Sequence, residues 1–391
     1  MEVNDNLKVN IIDEDNIGNG ICKVNDFVVF VKGALKDETL EITIKEVKKR
    51  FATATIKKII FPSSKRIIPK CKYYNTCGGC TFLHTTYDNE RDIKLKYLEK
   101  LFNRKVDYKK NKNEFNYRNK VVLHVKDEQI GLYDEKTHEL CEVSSCMLLN
   151  PMINNKITEL KRWDLSCISE IMMRVINNKI MISVTSSKDD INIKNIKCDS
   201  LYINNKHIKG EEYLIDEIND LKFSIYPDSF YQVNTEGMTN IYNIAYDYID
   251  KCDKLLDLYC GTGTIAMWVH DKAKKVTAVE INKNAIKNAE INKELNNIKN
   301  IEFICNDAKN IKGEYDTIII DPPRKGMSVY VIDYLNYSKA KNIIYISCNP
   351  NTLKRDLGYL DKYEIKKLAA CDMFPRTKHV ECVTLLCRKT L

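Results

Sequence analysis

The sequence predicts an α/β protein: a carboxyl-terminal open parallel sheet, preceded by a small β-barrel and a mixed α+β middle region. Three observations carry this. From about residue 229 strand-like and helix-like segments alternate, paired glycines (Gly261 and Gly263) follow the first strong strand of that series, and before residue 60 short apolar strands succeed one another at turn-sized intervals. Alternation of that kind builds right-handed crossovers and a parallel sheet with helices on both faces. A succession of short strands instead suits a small barrel. The predicted division is 1–60 (barrel), 61–228 (middle) and 229–391 (parallel sheet).

The barrel strands are expected at residues 7–12, 20–24, 27–31, 39–47 and 51–60, with Gly18, Gly20 and Gly33 at bends. Lys45, Lys48, Lys49, Arg50, Lys57 and Lys58 lie toward one end and suit nucleic acid contact or a solvated rim. Pro62-Ser63-Ser64 and Pro69 then break the pattern and mark a linker. In the middle region, Ile93, Tyr97, Leu98, Leu101 and Phe102 recur at helical period, and strands follow at 121–125, 180–185 and 223–226.

Composition narrows the class. A chain of 391 residues with 44% hydrophobic side chains has length for roughly two to three cored domains. No apolar run reaches the ~18 residues that span a bilayer, and the start Met1-Glu2-Val3-Asn4-Asp5 is acidic where a secretory signal is basic, then apolar. The expectation is a cytoplasmic protein with no membrane contact and no obligate protein partner. In that reducing setting fifteen cysteines read as metal ligands, nucleophiles and small core residues sooner than as disulfides. The net charge is +8, yet residues 61–120 hold 15 Lys and Arg against 6 Asp and Glu, so the basic excess is local. Lys94, Lys96, Lys100, Arg104, Lys105, Lys109 and Lys110 form either a phosphate-facing surface or a solvated helix face.

Three cysteines, Cys71, Cys77 and Cys80, stand at x5 and x2 spacing with Gly78 and Gly79 between the last two. Such a loop can fold around a metal, and a closed four-thiolate site needs one more ligand, for which Cys141 and Cys146 are available. The spacing fits zinc and iron-sulfur equally.

The alternating region is expected to run as strand 254–259, helix 262–270, strand 275–281, helix 284–296 and strands 301–305, 316–321 and 342–348, closing with an antiparallel edge strand at 379–387. In such sheets ligands bind beyond the carboxyl ends of the strands. Three signals fall there. Asp257-Leu258-Tyr259-Cys260-Gly261-Thr262-Gly263-Thr264 lets backbone approach a ligand at a helix start, and Glu280, ending the next strand, can bind ribose hydroxyls. The run Gly261 to Ala266 also fits a dinucleotide loop. Asp321-Pro322-Pro323 separates the two, because it marks S-adenosylmethionine enzymes acting on planar substrates such as nucleobases. One strand-helix unit later comes Ser347-Cys348-Asn349-Pro350, which places a thiol where it can attack carbon.

With these residues in view, the whole chain resembles the S-adenosylmethionine-dependent RNA uracil-5-methyltransferases, which make 5-methyluridine in ribosomal or transfer RNA. The resemblance implies a Rossmann-like class I methyltransferase domain behind a TRAM barrel, whose pattern Phe30-Val31 and Gly33-Ala34-Leu35 match. It implies cofactor contacts from Gln232, within Ser229-Phe230-Tyr231-Gln232-Val233-Asn234, and from Tyr259, Glu280 and Asp321. Cys348 stands at the family nucleophile and Glu381, in His379-Val380-Glu381, at the family base. Cys71, Cys77, Cys80 and Cys146 are similar to the [4Fe-4S] ligand set of the ribosomal RNA branch, which implies a structural cluster and 23S ribosomal RNA as substrate. Thr264 departs from the pattern, standing where some members carry Asn.

The chemistry calls for such a pair. Carbon 5 of uracil is a weak nucleophile until a thiolate adds at carbon 6, and the carbon 5 proton must leave before the thiol is eliminated. The base must also be flipped out of its stack. RNA cytosine-5 methyltransferases use similar chemistry but carry a further cysteine in the Asp-Pro-like motif, which residues 321–326 lack. An iron-sulfur oxidoreductase with a dinucleotide site and a noncatalytic RNA-binding protein are the other readings. NAD(P)H oxidation would favour the first, and the joint presence of Cys348 and Glu381 opposes the second.

Overall fold

The computed structural model describes residues 1–134, 137, 139–191, 193 and 196–389 and divides into two compact units. One comprises Met1–Lys105, Asp134–Glu139 and Phe374–His379, the other Val106–Tyr133, Leu140–Met373 and Val380–Leu391.

In the first unit six strands, Asn6–Asn10, Asp13–Glu14, Asn19–Val24, Phe27–Lys32, Thr39–Val47 and Phe51–Phe61, form one sheet. Alternation sets the core: Leu40, Ile42 and Ile44 point inward along one strand and meet Val29, Val31 and Ala52 from others. Gly18 and Gly33 hold left-handed turns at φ +82° and +72°. Gly20 was expected at a bend but lies inside a strand, where a Cβ would come within 2.7 Å of the Ala34 methyl. Glu38 is buried and accepts from the Arg66 guanidinium, so a linker residue ties back onto the sheet.

The basic segment supplies the helix Tyr87–Phe102. Thr86 accepts from the Asn89 amide at its start and Asn103, at φ 51°, ends it. Lys94 departs from the expected basic surface. It is fully buried and donates to Glu90 one turn earlier at 2.7 Å, because a charge can lie inside only when paired.

In the second unit a seven-stranded sheet has the order Leu140–Glu142, Gln129–Tyr133, Lys120–Lys126, Ile168–Ile176, Lys179–Ser186, Ser200–Ile203, Lys206–Gly210. Leu214–Ile218 and Leu221–Ile225 then form a hairpin. The eight-stranded sheet that follows positions the site. Its order is Ile301–Cys305, Ala273–Glu280, Cys252–Leu258, Thr317–Ile320, Asn342–Ser347, Glu381–Arg388, Tyr363–Cys371, Asp107–Lys109. The first five strands are parallel. Thr317–Ile320 and the run from Ile343 to Ser347 are wholly buried, as expected for strands covered on both faces. Strand order reverses between Cys252–Leu258 and Thr317–Ile320, and a crevice opens at such a switch point.

The last strand is antiparallel, as its short connection implied, but it is not an edge. Tyr363–Cys371 pairs outside it, and Asp107–Lys109 outside that. A register shift between Ile365 and Lys367 breaks the alternation that would have marked Tyr363–Cys371 as a strand.

Candidate active site

Cys348 follows the buried strand Asn342–Ser347 and precedes the helix Pro350–Leu357. Asn349 caps that helix, accepting from the Asn351 and Thr352 amides, and Pro350 fits its first turn because it lacks the amide a helix start cannot satisfy. The thiol is thereby held at a strand-to-helix junction, half-buried. Ser347 pairs with Cys382 in the antiparallel ladder, so one further step brings Cys348 level with Glu381. Glu381 is buried at the start of its strand. Burial, reinforced by the charge of Asp321 and opposed by Arg324, raises its carboxyl to about 8. Burial also raises the Cys348 thiol to about 11; Glu381 and Asp321 add to the rise and Arg324 opposes it.

The segment carrying Asp321 and Arg324 is stapled to the helix after Cys348. Thr352 Oγ1 donates to the Arg324 carbonyl at 3.0 Å and Arg355 Nη2 to the Lys325 carbonyl at 2.8 Å. The buried Asp356 accepts from the Met327 amide and from the Tyr345 hydroxyl. Gly326 adopts φ +80°, and a Cβ there would come within 2.4 Å of the Asp356 carboxylate. Desolvation raises the Asp321 carboxyl to about 7.

On the other side of the switch point the glycine loop approaches Glu280. Gly261, at φ +55°, donates to Glu280 Oε2 at 3.2 Å, and nothing lies within 4 Å of where its Cβ would be, so the loop borders open space. Gly263, at φ +79°, packs against Phe303, whose ring would be 2.6 Å from a Cβ. Tyr259 holds the left-handed φ of 66° between strand and loop, and its amide donates to the Val279 carbonyl at 3.0 Å. Glu280 Oε1 accepts from the Asn282 amide at 2.8 Å, which fixes the carboxylate at the strand end.

The Ser229–Asn234 stretch is held by buried polar contacts. Arg174, itself buried, donates to the Ser229 carbonyl through both terminal nitrogens at 3.1 Å, and the Tyr231 hydroxyl donates to Asp216 at 2.8 Å. Asn119 donates its side-chain amide to the Gln232 carbonyl at 3.2 Å. Asn234 caps the helix Thr235–Asp247 and donates to the Met373 carbonyl.

Two site residues escaped the sequence reading. Tyr242 is buried on that helix, its hydroxyl 2.8 Å from Thr264 Oγ1. Burial raises its phenol and the Thr264 bond opposes this; Asp321, Asp257 and Glu381 add to the rise, so these acids converge on it. No spacing rule distinguishes Tyr242 from the helix's other core residues. Asp257 lay within the quoted glycine motif without being assigned a role. It is fully buried, and burial, then the charge of Asp321, drives its carboxyl well above the ordinary range. The charges of Asp321 and Glu280 act on Asp257 and that of Asp321 on Glu381, so these acids gather near the carboxyl ends of the strands.

The cysteines Cys71, Cys77 and Cys80 lie in the amino-terminal unit. Cys77 ends the short helix Tyr74–Cys77, and Gly78, at φ +70°, turns the chain toward Cys80. Among the described residues no group of three or more Cys, His, Asp or Glu side chains is placed to hold a metal ion. Spacing makes a site possible, but ligation also requires the thiolates to converge on one point. Cys141, the other candidate, lies in the strand Leu140–Glu142.

Among the described residues no helix is long and apolar enough to cross a membrane.

An open α/β sheet with a glycine loop, a thiol and buried carboxyls at its strand ends has the layout of a ligand-binding α/β enzyme, and comparison with known proteins gives its class. Residues 309–389 match the tRNA (Uracil-5-)-methyltransferase family, residues 244–334 the methyltransferase small domain and residues 2–57 the TRAM domain. An RNA methyltransferase of Clostridium acetobutylicum is 33% identical over 98% of this chain and 97% of its own, and one of Clostridium tetani 32% identical over 94% and 93%. The crystal structure of Pyrococcus abyssi tRNA (uracil-54, C5)-methyltransferase in complex with S-adenosyl-L-homocysteine superposes with a TM-score of 0.83 at 25% identity, over 97% of this chain and all of that one. The chain belongs to the RNA methyltransferases of the uracil-5 family, S-adenosylmethionine-dependent enzymes with a TRAM domain and a Rossmann-like catalytic fold.

Proposed function

We propose that the protein methylates carbon 5 of a uridine in RNA through a covalent adduct at carbon 6, with Cys348 as nucleophile and Glu381 as base. The observation that carries this reading is the strand register that brings Cys348 level with the buried Glu381. In this scheme Cys348 gives up its proton to solvent, its thiolate adds to carbon 6, and the carbon 5–carbon 6 π pair moves into the enolate over carbon 5, carbon 4 and its oxygen. Bound S-adenosylmethionine supplies an electrophilic methyl group, and carbon 5 displaces it from sulfur. Glu381 takes the carbon 5 proton, the carbon 6–sulfur bond breaks, and the electron pair returns to Cys348 as the ring double bond reforms. Residues 1–60 and 61–228 would hold the RNA around the flipped uridine, and 229–391 would carry the chemistry.

S-adenosylmethionine suits the donor set. Its ribose hydroxyls match Glu280, its backbone-close fit matches the open space at Gly261, and its positive charges suit an ionised Asp321. We assign cofactor contacts to Gln232, Tyr259, Glu280 and Asp321. Glu280→Ala is expected to weaken S-adenosylmethionine binding by about 1–3 kcal/mol, the scale of a hydrogen bond to a charged group, with RNA affinity unchanged. Unaltered cofactor affinity by calorimetry would remove Glu280 from the site. Since Asp321 must ionise to meet a cation, and its carboxyl is raised to about 7, binding near pH 6 should release protons and tighten as pH rises. Calorimetry in buffers of different ionisation enthalpy measures this.

Two substrates stand in view. The cysteine resemblance points to 23S ribosomal RNA, whereas the similar archaeal protein is a transfer RNA enzyme. Mapping 5-methyluridine in both RNAs from cells lacking the protein decides between them. The [4Fe-4S] assignment rests on the pattern of Cys71, Cys77, Cys80 and Cys146 alone. If correct, anaerobically purified protein is brown with about four irons per chain; iron-free or zinc-loaded protein would end it.

A further inference from the structure

The helix Lys283–Leu295 buries asparagine where packing against a sheet calls for apolar side chains. Asn288 and Asn292 stand one turn apart and both are buried, although asparagine is a poor helix former that resists burial unless its amide is paired. Their partners form one continuous chain. The Ser229 hydroxyl donates to Asn288 Oδ1 at 2.6 Å, and Asn288 Nδ2 donates to the Ser224 hydroxyl at 2.6 Å. That hydroxyl donates in turn to Asn292 Oδ1 at 2.7 Å, and Asn292 Nδ2 donates to the Thr262 carbonyl at 3.1 Å. Every member is buried, and each donor feeds the next acceptor, the arrangement in which hydrogen bonds reinforce one another.

Both ends of the chain lie in segments assigned to the cofactor. Ser229 opens the stretch Ser229–Asn234, which contains Gln232, and Thr262 stands between Gly261 and Gly263 in the glycine loop. The two segments also meet directly, where Thr262 Oγ1 donates to the Phe230 carbonyl at 3.5 Å. A lone contact at that length fixes little. The chain joins the same two segments through shorter bonds. An amide suits both helix positions because it accepts from one neighbour and donates to the next, whereas a carboxylate only accepts and an ammonium only donates. Backbone bonds hold the hairpin strand to the helix independently: Asn292 Oδ1 also accepts from the Ser224 amide at 2.7 Å, and Asn288 Nδ2 also donates to the Ser224 carbonyl at 3.0 Å. The Ser224 hydroxyl is therefore the link at which the chain can be cut while the helix stays tied to the strand.

We infer that Asn288, Ser224 and Asn292 are positioning residues for the cofactor: the chain they form sets the Gln232 stretch and the glycine loop at the spacing that S-adenosylmethionine requires. The inference rests on the assignment of those two segments to the cofactor site, given above. None of the three residues touches the cofactor in this role. They hold two walls in place before it arrives, so that binding has less of the protein to order.

Ser224→Ala cuts the chain at its middle and keeps both backbone bonds. The expected result is S-adenosylmethionine affinity lower by about three- to tenfold, the scale of one hydrogen bond, with the KM for the cofactor raised by the same factor. Turnover at saturating cofactor and RNA affinity should stay within about twofold of the parent, the scatter expected where sites are not coupled. A merely destabilised fold would not give that split. Ser229→Ala cuts the chain one link earlier and should cost about as much; the two changes together should cost no more than about twofold beyond the larger single effect, because members of one network do not add. Ser224→Thr keeps the hydroxyl and should restore most of the affinity. Parent cofactor affinity in folded Ser224→Ala, measured by calorimetry, overturns the inference, and so does full multiplication of the two losses in the double variant. A parallel fall in cofactor affinity, RNA affinity and saturated turnover overturns it as well, because it marks general destabilisation. If Ser224→Ala does not fold, Ser229→Ala carries the test: weaker cofactor binding with unaltered RNA affinity supports the chain, and parent cofactor affinity overturns it. Gln232→Ala that binds S-adenosylmethionine as the parent does fails the assignment beneath the inference, an outcome distinct from parent affinity in Ser224→Ala.

Discussion

Cys348→Ala is expected to bind RNA and S-adenosylmethionine as the parent does while transferring no methyl group, a loss of at least ~10⁴-fold, the scale on which removing a covalent nucleophile falls. The reason lies at the start of the reaction: without addition at carbon 6, carbon 5 never becomes nucleophilic enough to displace the methyl group. Binding should survive because Cys348 is one half-buried residue at a helix start that Asn349 caps without it. The parent enzyme's pH dependence belongs with this result. Burial, and then the charges of Glu381 and Asp321, raise the thiol to about 11, so its thiolate is scarce at neutral pH. Adduct formation measured by rapid quench should therefore accelerate as pH rises from 7 toward 10. A flat profile there would mean the thiol is already ionised.

Glu381→Gln is expected to fail later and visibly. Addition and methyl transfer remain open to it, but the carbon 5 proton has no acceptor, so a methylated covalent enzyme–RNA complex accumulates. Turnover should fall by roughly 10²–10⁴, the contribution of a positioned base. The parent should show the same dependence on pH: a carboxyl raised to about 8 is protonated below that value, so elimination is expected to slow as pH falls through 8. Stability runs the other way. A carboxyl whose folded value lies above its unfolded one favours the fold while protonated, and this contribution is lost as pH rises from about 4.5 through 8. Glutamine stays neutral throughout, so the variant should melt higher than the parent at pH 9 and nearly with it at pH 4. A variant that both turned over normally and accumulated no complex would remove Glu381 from the chemistry.

The strands that end at the candidate site were legible in the sequence, for a physical reason. Buried parallel strands need continuous apolar runs, so the stretches at Thr317–Ile320 and Asn342–Ser347 announce themselves, and the residues just beyond them, Asp321 and Cys348, fall at strand ends where ligands bind. Gly263 was readable as the second glycine of the loop, and it sits where a side chain would strike Phe303. What stayed hidden depends on contacts distant in sequence. Lys94 reads as surface charge until Glu90 pairs with it inside the fold. The strand Tyr363–Cys371 lacks clean alternation because a register shift interrupts it. Tyr242 looks like any core aromatic until the fold brings the charges of Asp321, Asp257 and Glu381 to bear on its phenol.

The central claim is that Cys348 bonds to the substrate base, and 5-fluorouridine tests it most directly. Fluorine at carbon 5 cannot leave as a cation, so the reaction stops at the methylated adduct. RNA carrying 5-fluorouridine at the target position, mixed with enzyme and S-adenosylmethionine and run on a denaturing gel, should give a shifted protein–RNA band. The band should require S-adenosylmethionine and be absent in Cys348→Ala. A band that persists in Cys348→Ala, or parent enzyme that methylates ordinary RNA yet forms no band with the fluorinated one, would contradict the account.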